Sequence, residues 1–287
     1  MKKVLFLMAT IMLAACERDV SLEESEVSIE SILTKKFIFT CKGDFESPSF
    51  TRGYLTASDN ALTDLWVFDY VGSECVQSIH QSNTEANWGQ PQLQLSYGSH
   101  KVYFVASRGT EPTVDATAKT ITWTKPSDTF WKSYEVEVVS TSNGNRAVTL
   151  DRVATKLKIT AIDEVPTGAA SVVITPSVWY NGLNYTTGEA ASPQYSKDRV
   201  INIPASYIGT TKLSANVFGI SSETEWTTNI SVSAMNQDGE IIGHVDITDA
   251  PFKRARATEY SGCLFQGKNT FSLIADTEWE ESIQRTW

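Results

Sequence analysis

The chain is poor in histidine. His80, His100 and His244 are its three copies in 287 residues, and they lie far apart. That leaves little material for a zinc site, and there is no CxxC pair to supply one. Basic residues are also in short supply: 24 Lys and Arg stand against 34 Asp and Glu, for a formal net charge of −10. Phosphate backbones are held by clustered Lys and Arg, so this balance argues against nucleic acid as a partner. It argues equally against a polybasic membrane-surface mode. Catalytic signatures are missing: there is no G-x-S-x-G nucleophile elbow, P-loop, HExxH or EF-hand loop. Ser99 adjoins His100, but neighbours on a strand point to opposite faces and cannot form a nucleophile–base pair. Carboxylates cluster at Asp163-Glu164, at Asp246 and Asp249, and at Glu278, Glu280 and Glu281. They read as solvated loop acids rather than the facing pair of a glycosidase. The expectation is a protein without enzymatic activity, cofactor or metal.

What is present begins at the N-terminus. Met1-Lys2-Lys3 leads into an apolar run that ends at Ala15, followed by Cys16. This is the pattern of a secretory signal, and the run is shorter than the ~20 residues that span a bilayer. Leu13-Ala14-Ala15-Cys16 resembles a bacterial lipobox. On that resemblance residues 1–15 are removed and Cys16 is acylated, and two or three acyl chains anchor stably where one is marginal. Residues 16–34, with Glu17, Asp19, Glu23, Glu24, Glu26 and Glu30, read as an acidic tether. They resemble the surface-export signals of Bacteroidetes lipoproteins. Of the four cysteines, Cys41, Cys75 and Cys263 then remain. That odd number allows at most one disulfide, and which of them pair stays open. Each lies in an apolar or β-like stretch, where cysteine usually serves as a small buried hydrophobe.

The rest, 41% hydrophobic across the chain, predicts β structure. Residues 36–41 (KFIFTC) put Phe37, Phe39 and Cys41 on one face. Residues 62–70 (LTDLWVFDY), a turn at Val71-Gly72-Ser73 and residues 74–80 form a hairpin pattern. Residues 100–107 (HKVYFVAS) are almost continuously apolar, as in a buried strand. Val153, Thr155, Leu157 and Ile159 alternate with Ala154, Lys156, Lys158 and Thr160. Further strands are expected over 119–124, 131–140, 171–180, 199–203, 211–220, 229–236, 240–248, 259–265 and 270–275. No long stretch has helical periodicity with caps. The class is all-β, with strand spacings typical of sandwiches. The turn at Asn143-Gly144-Asn145 divides the chain into an N-terminal domain, 35–145, and a C-terminal domain, 146–287. No short-period repeat is visible.

Eight tryptophans are present. Trp66 and Trp123 fall within strands and read as core. Trp88, in a polar loop, and the terminal Trp287 are better candidates for contact with something else, such as a glycan.

Four segments together resemble the fimbrillin superfamily of Bacteroidetes, whose members include type V pilus subunits. They are residues 62–69 (LTDLWVFD) with Gly72, residues 95–107 (LSYGSHKVYFVAS), residues 148–157 (VTLDRVATKL), and the stretch from Pro251-Phe252-Lys253-Arg254 through Gly262 and Phe265 to Asp276-Thr277-Glu278-Trp279. The resemblance implies two tandem transthyretin-like Greek-key β-sandwich domains in a pilus or adhesin subunit, exported as an outer-membrane lipoprotein. In polymerising members an arginine-specific protease cuts after the first strand, and a C-terminal strand of another subunit fills the groove left behind. The matching positions are Arg52 for cleavage, Phe37, Phe39 and Cys41 for the displaced strand, and Phe271, Leu273 and Ala275 for the donor. The alternative use of Phe271, Leu273 and Ala275 is a strand of their own domain. An alternative function is a surface lipid-anchored glycan-binding protein using exposed tryptophans.

Overall fold

A computed structural model describes residues 34–43, 62–266 and 271–278. Nearly all of the described structure is strand. The first half contains β1 (Thr34–Gly43), β2 (Asp64–Val71), β3 (Glu74–Ser82), β4 (Gln92–Ser96), β5 (Gly98–Ser107), β6 (Thr110–Asp115), β7 (Thr120–Lys125), β8 (Thr129–Val138) and β9 (Asn145–Arg152). The second half contains β10 (Ala154–Ala161), β11 (Ala169–Pro176), β12 (Val178–Asn184), β13 (Glu189–Tyr195) and β14 (Arg199–Asn202). After a short 3-10 turn at Ala205–Tyr207 come β15 (Leu213–Ile220), β16 (Trp226–Asn236), β17 (Ile241–Phe252), β18 (Arg256–Gly262) and β19 (Phe271–Glu278). The all-β expectation holds at this level.

The strand pairings repeat one plan. In the first half β3-β2-β5-β8 forms one leaf and β9-β1-β4 the other, joined by the short β8–β9 pairing Phe130↔Arg152 and Trp131↔Asp151. The second half has β14-β11-β16-β17 facing β18-β10-β15. In each half the first strand runs parallel to the last of the plan, β1 with β9 and β10 with β18. Each first strand is antiparallel to its other neighbour, β4 or β15. Two additions depart from the plan. The β6–β7 hairpin is inserted in the first half and β12–β13 in the second, and together they form a third sheet, β13-β12-β7-β6, across the junction. β19 extends the edge of β18 and has no counterpart among the described residues of the first half.

Side-chain alternation places the cores. In β10, Leu157, Ile159 and Ala161 are buried in the second core while Lys156, Lys158 and Thr160, which alternate with them, are half-exposed. β2 and β5 lack such alternation because both of their faces are covered. Leu65, Val67, Val102 and Phe104 enter the first sandwich core. Trp66, Phe68, Tyr103 and Val105 point the other way, into a junction core with Trp123, Leu183 and Tyr185 from the third sheet. There Phe68 stacks on Tyr185 with ring centroids 4.0 Å apart. The Tyr70 and Tyr185 hydroxyls are 3.2 Å apart.

The boundary between the halves differs from the one expected at Asn143–Asn145. That turn joins β8 to β9, and β9 pairs with β1 over Asn145–Leu150 while Val148 and Leu150 fill the first core. The crossing is the single residue Val153, fully buried, whose N–H donates to Thr129 O and whose C=O accepts from Ser221 N, both at 2.9 Å. A turn signal marks a reversal of the chain, and here the reversal lies within a domain.

Gly188 is a close-packed point of the junction. Its φ is +74°, and a Cβ there would lie 2.7 Å from Cε3 of Trp131, whose Nε1 donates to Tyr185 O at 2.8 Å. Gly188→Ala should therefore cost about 1–3 kcal/mol, from left-handed strain and overpacking together. Chemical denaturation would check this; a loss below about 0.5 kcal/mol would contradict the packing described.

Candidate functional site

The site is built around β1, the earliest described strand. Phe37, Phe39 and Cys41 alternate with Ile38 and Thr40, and all three are completely buried. Phe39 meets Phe104 and Tyr134 with centroids 5.2 and 5.8 Å apart. The Arg146 guanidinium lies 5.2 Å from the Phe37 ring centroid. Burial pushes the Cys41 thiol well above the ordinary thiol range, which keeps it protonated and unreactive.

β1 is held along both edges. Thr34–Ile38 pair with β4, and Ile38–Gly43 pair with β9. The loop after β3 adds two bonds, with Phe39 N donating to Pro91 O at 3.0 Å and Cys41 N to Gly89 O at 2.9 Å. The Lys35 ammonium donates to Ser142 O at 3.1 Å and also to Ser140 O. Without β1 the β4–β9 groove would bare rows of backbone groups and an apolar floor. Each large apolar side chain uncovered costs roughly 1.5–3 kcal/mol.

Trp88 belongs to this groove rather than to the surface. It is 7% exposed and packs in the first core. The 83–91 loop is polar in composition, but it lies along β1 through the bonds from Phe39 and Cys41, and so turns Trp88 inward. The expectation of an exposed aromatic contact at Trp88 is therefore corrected. Trp66 and Trp123 are core, as expected. Cys75 is exposed beside the β2–β3 turn, against the expectation that the cysteines are buried, and Cys263 is half-buried. Cys41, Cys75 and Cys263 are all free thiols. Cys16, Arg52 and Trp287 lie outside the described residues.

The expected donor residues lie in β19, antiparallel to β18 at the edge of the second half. Phe271 is opposite Gly262 and packs against the second core, Leu273 is opposite Tyr260, and Ala275 is opposite Glu259. In this structure they are therefore a strand of their own domain. The chain leading to β19 is clasped by Asp163. Its buried carboxylate accepts from the backbone N–H groups of Leu264 at 3.0 Å, Phe265 at 2.6 Å and Gln266 at 2.9 Å. This corrects the expectation that Asp163 is a solvated loop acid. An aspartate that folds back onto a loop about 100 residues later leaves no local signal.

A buried polar trio was also missed. Asp69 Oδ1 is 2.9 Å from His100 Nδ1, and His100 Nε2 is 3.1 Å from Ser96 Oγ and 3.0 Å from Ser96 O. The carboxylate faces one ring nitrogen, and the hydroxyl and carbonyl of Ser96 face the other. Burial raises the Asp69 pKa, opposed by the hydrogen bond from His100 and its charge. The trio fastens β2 to β5 and reaches Ser96 at the end of β4. Among the described residues no group of three or more His, Cys, Asp or Glu is placed to hold a metal ion.

Neither family models nor curated proteins match the chain. Solved structures do. A candidate adhesin from Bacteroides thetaiotaomicron aligns with a TM-score of 0.53 and 9% identity, covering 86% of this chain and 98% of that one. A candidate adhesin from Bacteroides ovatus aligns with a TM-score of 0.52 and 12% identity, over 83% and 88%. A candidate polysaccharide-binding protein from B. thetaiotaomicron aligns with a TM-score of 0.51 and 9% identity, over 87% and 99%. At such identities the likeness is one of fold, and it extends across both halves of the chain. The chain therefore shares its fold with these adhesin structures.

Proposed function

We propose that this chain is a structural subunit of a surface pilus or adhesin, with two tandem transthyretin-like Greek-key sandwiches, assembled by strand exchange. The observation that carries the proposal is β1. It is paired on both edges and buries Phe37, Phe39 and Cys41, yet it is joined to β2 through the 44–61 segment that contains Arg52. Cutting at Arg52 would leave β1 held by noncovalent contacts alone. A strand of similar pattern could then replace it by β-augmentation. β19 supports the donor role, being an addition to the plan that both halves share.

In this reading the protein leaves the cell as a lipoprotein and is tethered to the outer membrane through acylated Cys16. Its partners are other pilus subunits, themselves or relatives, and no catalytic step is required. The likeness to adhesin folds supports a place at the cell surface. The alternative of glycan binding through Trp88 loses its basis, because Trp88 is in the core.

An arginine-specific protease tests the proposal on purified, unlipidated protein. Cleavage at Arg52 should be followed by loss of the N-terminal segment and formation of a ladder of oligomers. Cys41 provides the timing. In the intact protein a thiol reagent should label exposed Cys75 and spare Cys41. Cleavage alone should leave Cys41 protected, and its labelling should rise in step with the ladder. A protein that resists cleavage at Arg52, or one that is cut and stays monomeric with Cys41 protected, would remove strand exchange by this route.

A further inference from the structure

Away from the β1 groove, a cavity of about 460 Å³ opens where the third sheet meets the second half. Small-molecule sites commonly measure about 300–1,000 Å³. Amide side chains of Asn181 and Gln194 line one wall, and apolar Val200, Ile201, Val217 and Phe218 line much of the rest.

Arg199 is the polar centre. Its guanidinium carbon lies 5.7 Å from the ring centroid of Trp179. Nη1 donates to Lys197 O at 2.8 Å, and Nη2 donates to Asn181 Oδ1 at 3.2 Å and, at 3.5 Å, to Gln194 Oε1. The supports of this cation are themselves fixed. Trp179 is completely buried and donates through Nε1 to Phe218 O at 2.9 Å. Asn181 is buried and donates to Trp123 O at 3.2 Å. Burial pulls the Arg199 pKa down to about 10, so the charge is held there at a cost that neutral acceptors only partly relieve.

Two other well-covered arginines carry acids. Arg152 pairs with Asp128 at 2.9 Å and Arg254 with Glu223 at 3.1 Å. Arg199 has no carboxylate partner among the described residues. Asp198 also lines the cavity, but its Oδ1 accepts from the Thr175 hydroxyl at 2.6 Å. Exposed Lys125 and Lys197 stand in the same lining. Three cations against one carboxylate form a positive pocket in an acidic chain.

We propose that this pocket binds an anionic sugar, with the acid group on Arg199. A guanidinium in fixed orientation suits a carboxylate or a sulfate. The Gln194 amide suits a ring hydroxyl, and apolar Val200 and Ile201 suit the C–H face of a sugar ring. A small ion such as acetate would leave most of 460 Å³ unfilled. The site takes up glycan binding at a place unrelated to Trp88 and does not require strand exchange.

Calorimetry on the full unlipidated chain tests it with D-glucuronate, N-acetylglucosamine 6-sulfate, glucose and acetate. At least one acidic sugar should bind ten-fold or more tightly than both glucose and acetate, and the tighter acid identifies the group on Arg199. Arg199→Gln should weaken that binding at least ten-fold, and Arg199→Lys should recover part of it. If Arg199→Gln fails to fold, the double variant Lys125→Gln/Lys197→Gln, confined to exposed side chains, should weaken binding about three-fold or more. No binding of either acid at millimolar concentration, equal binding of glucose, or affinity unchanged in the variants would overturn the proposal. None of these readouts depends on cleavage at Arg52, so this site and strand exchange stand or fall separately.

Discussion

Phe39→Ala should lower the stability of the protein by about 3–5 kcal/mol. Phe39 is completely buried and packs against Phe104 and Tyr134 across the sandwich and beside Phe37 on its own strand. Truncation removes the transfer energy of the ring and leaves a cavity that two hydrogen-bonded leaves cannot close. Domains of this kind are stable by about 5–15 kcal/mol in all, so most of that margin would go. Urea denaturation measures the loss directly. Exposed Lys36, on the opposite face of the same strand, supplies the control, since Lys36→Ala should stay within about 0.5 kcal/mol. The variant should also label at Cys41 faster than the parent, because a loosened β1 departs more often. A loss under about 1 kcal/mol would mean that β1 is not an integral part of the first core.

Asp163→Ala should cost about 3 kcal/mol, through a different mechanism. Three backbone N–H groups, of Leu264, Phe265 and Gln266, lose their carboxylate acceptor. Leu264 is buried, so water cannot freely replace the bond it loses. Each hydrogen bond to a charged group is worth roughly 1.5–3 kcal/mol, and donors that regain water recover part of this. Asp163→Asn keeps one oxygen acceptor and should lose less. Amide exchange at 264–266 should accelerate more than exchange in β16 or β17. If it does not, the carboxylate is not what fixes this stretch. In the proposed assembly the clasp would hold the root of the donor strand to its own subunit while the strand itself is exchanged.

Much of the fold was legible because burial on one face leaves a period-two trace. β10 shows it at Leu157 and Ile159, and β1 at Phe37 and Phe39. The hairpin of β2 and β3 was marked by Gly72, whose φ of +59° suits glycine. β5 was legible through the opposite sign, an unbroken apolar run, and the junction core behind it supplies the reason. β6 and β13 were not read as strands. They are edge strands of the third sheet, β6 is exposed along its whole length, and each carries a proline, Pro112 and Pro193. Edge positions tolerate proline and require no apolar face, so neither left a pattern. The repeat of the strand plan was invisible for a related reason: sandwich cores accept many apolar side chains provided volume and patterning are kept. The Arg199 pocket could not be read at all. Asn181, Gln194, Arg199 and Phe218 come from four strands, and only pairing brings them together.

The single-residue crossing at Val153 has a mechanical consequence. Two domains on a loose linker extend like beads on a string when pulled, and the linker takes up the first slack. Here the chain passes from β9 to β10 through one buried residue, and the β7–β12 pairing bridges the same junction a second time. Tension entering at β1 and leaving at β19 would meet no slack between the halves. It would load hydrogen-bonded strands in shear at β1–β9 and β18–β19 before the junction could open. Such a subunit behaves as a stiff strut, and in a filament its weakest points under load would be the exchanged strands rather than the middle of the protein.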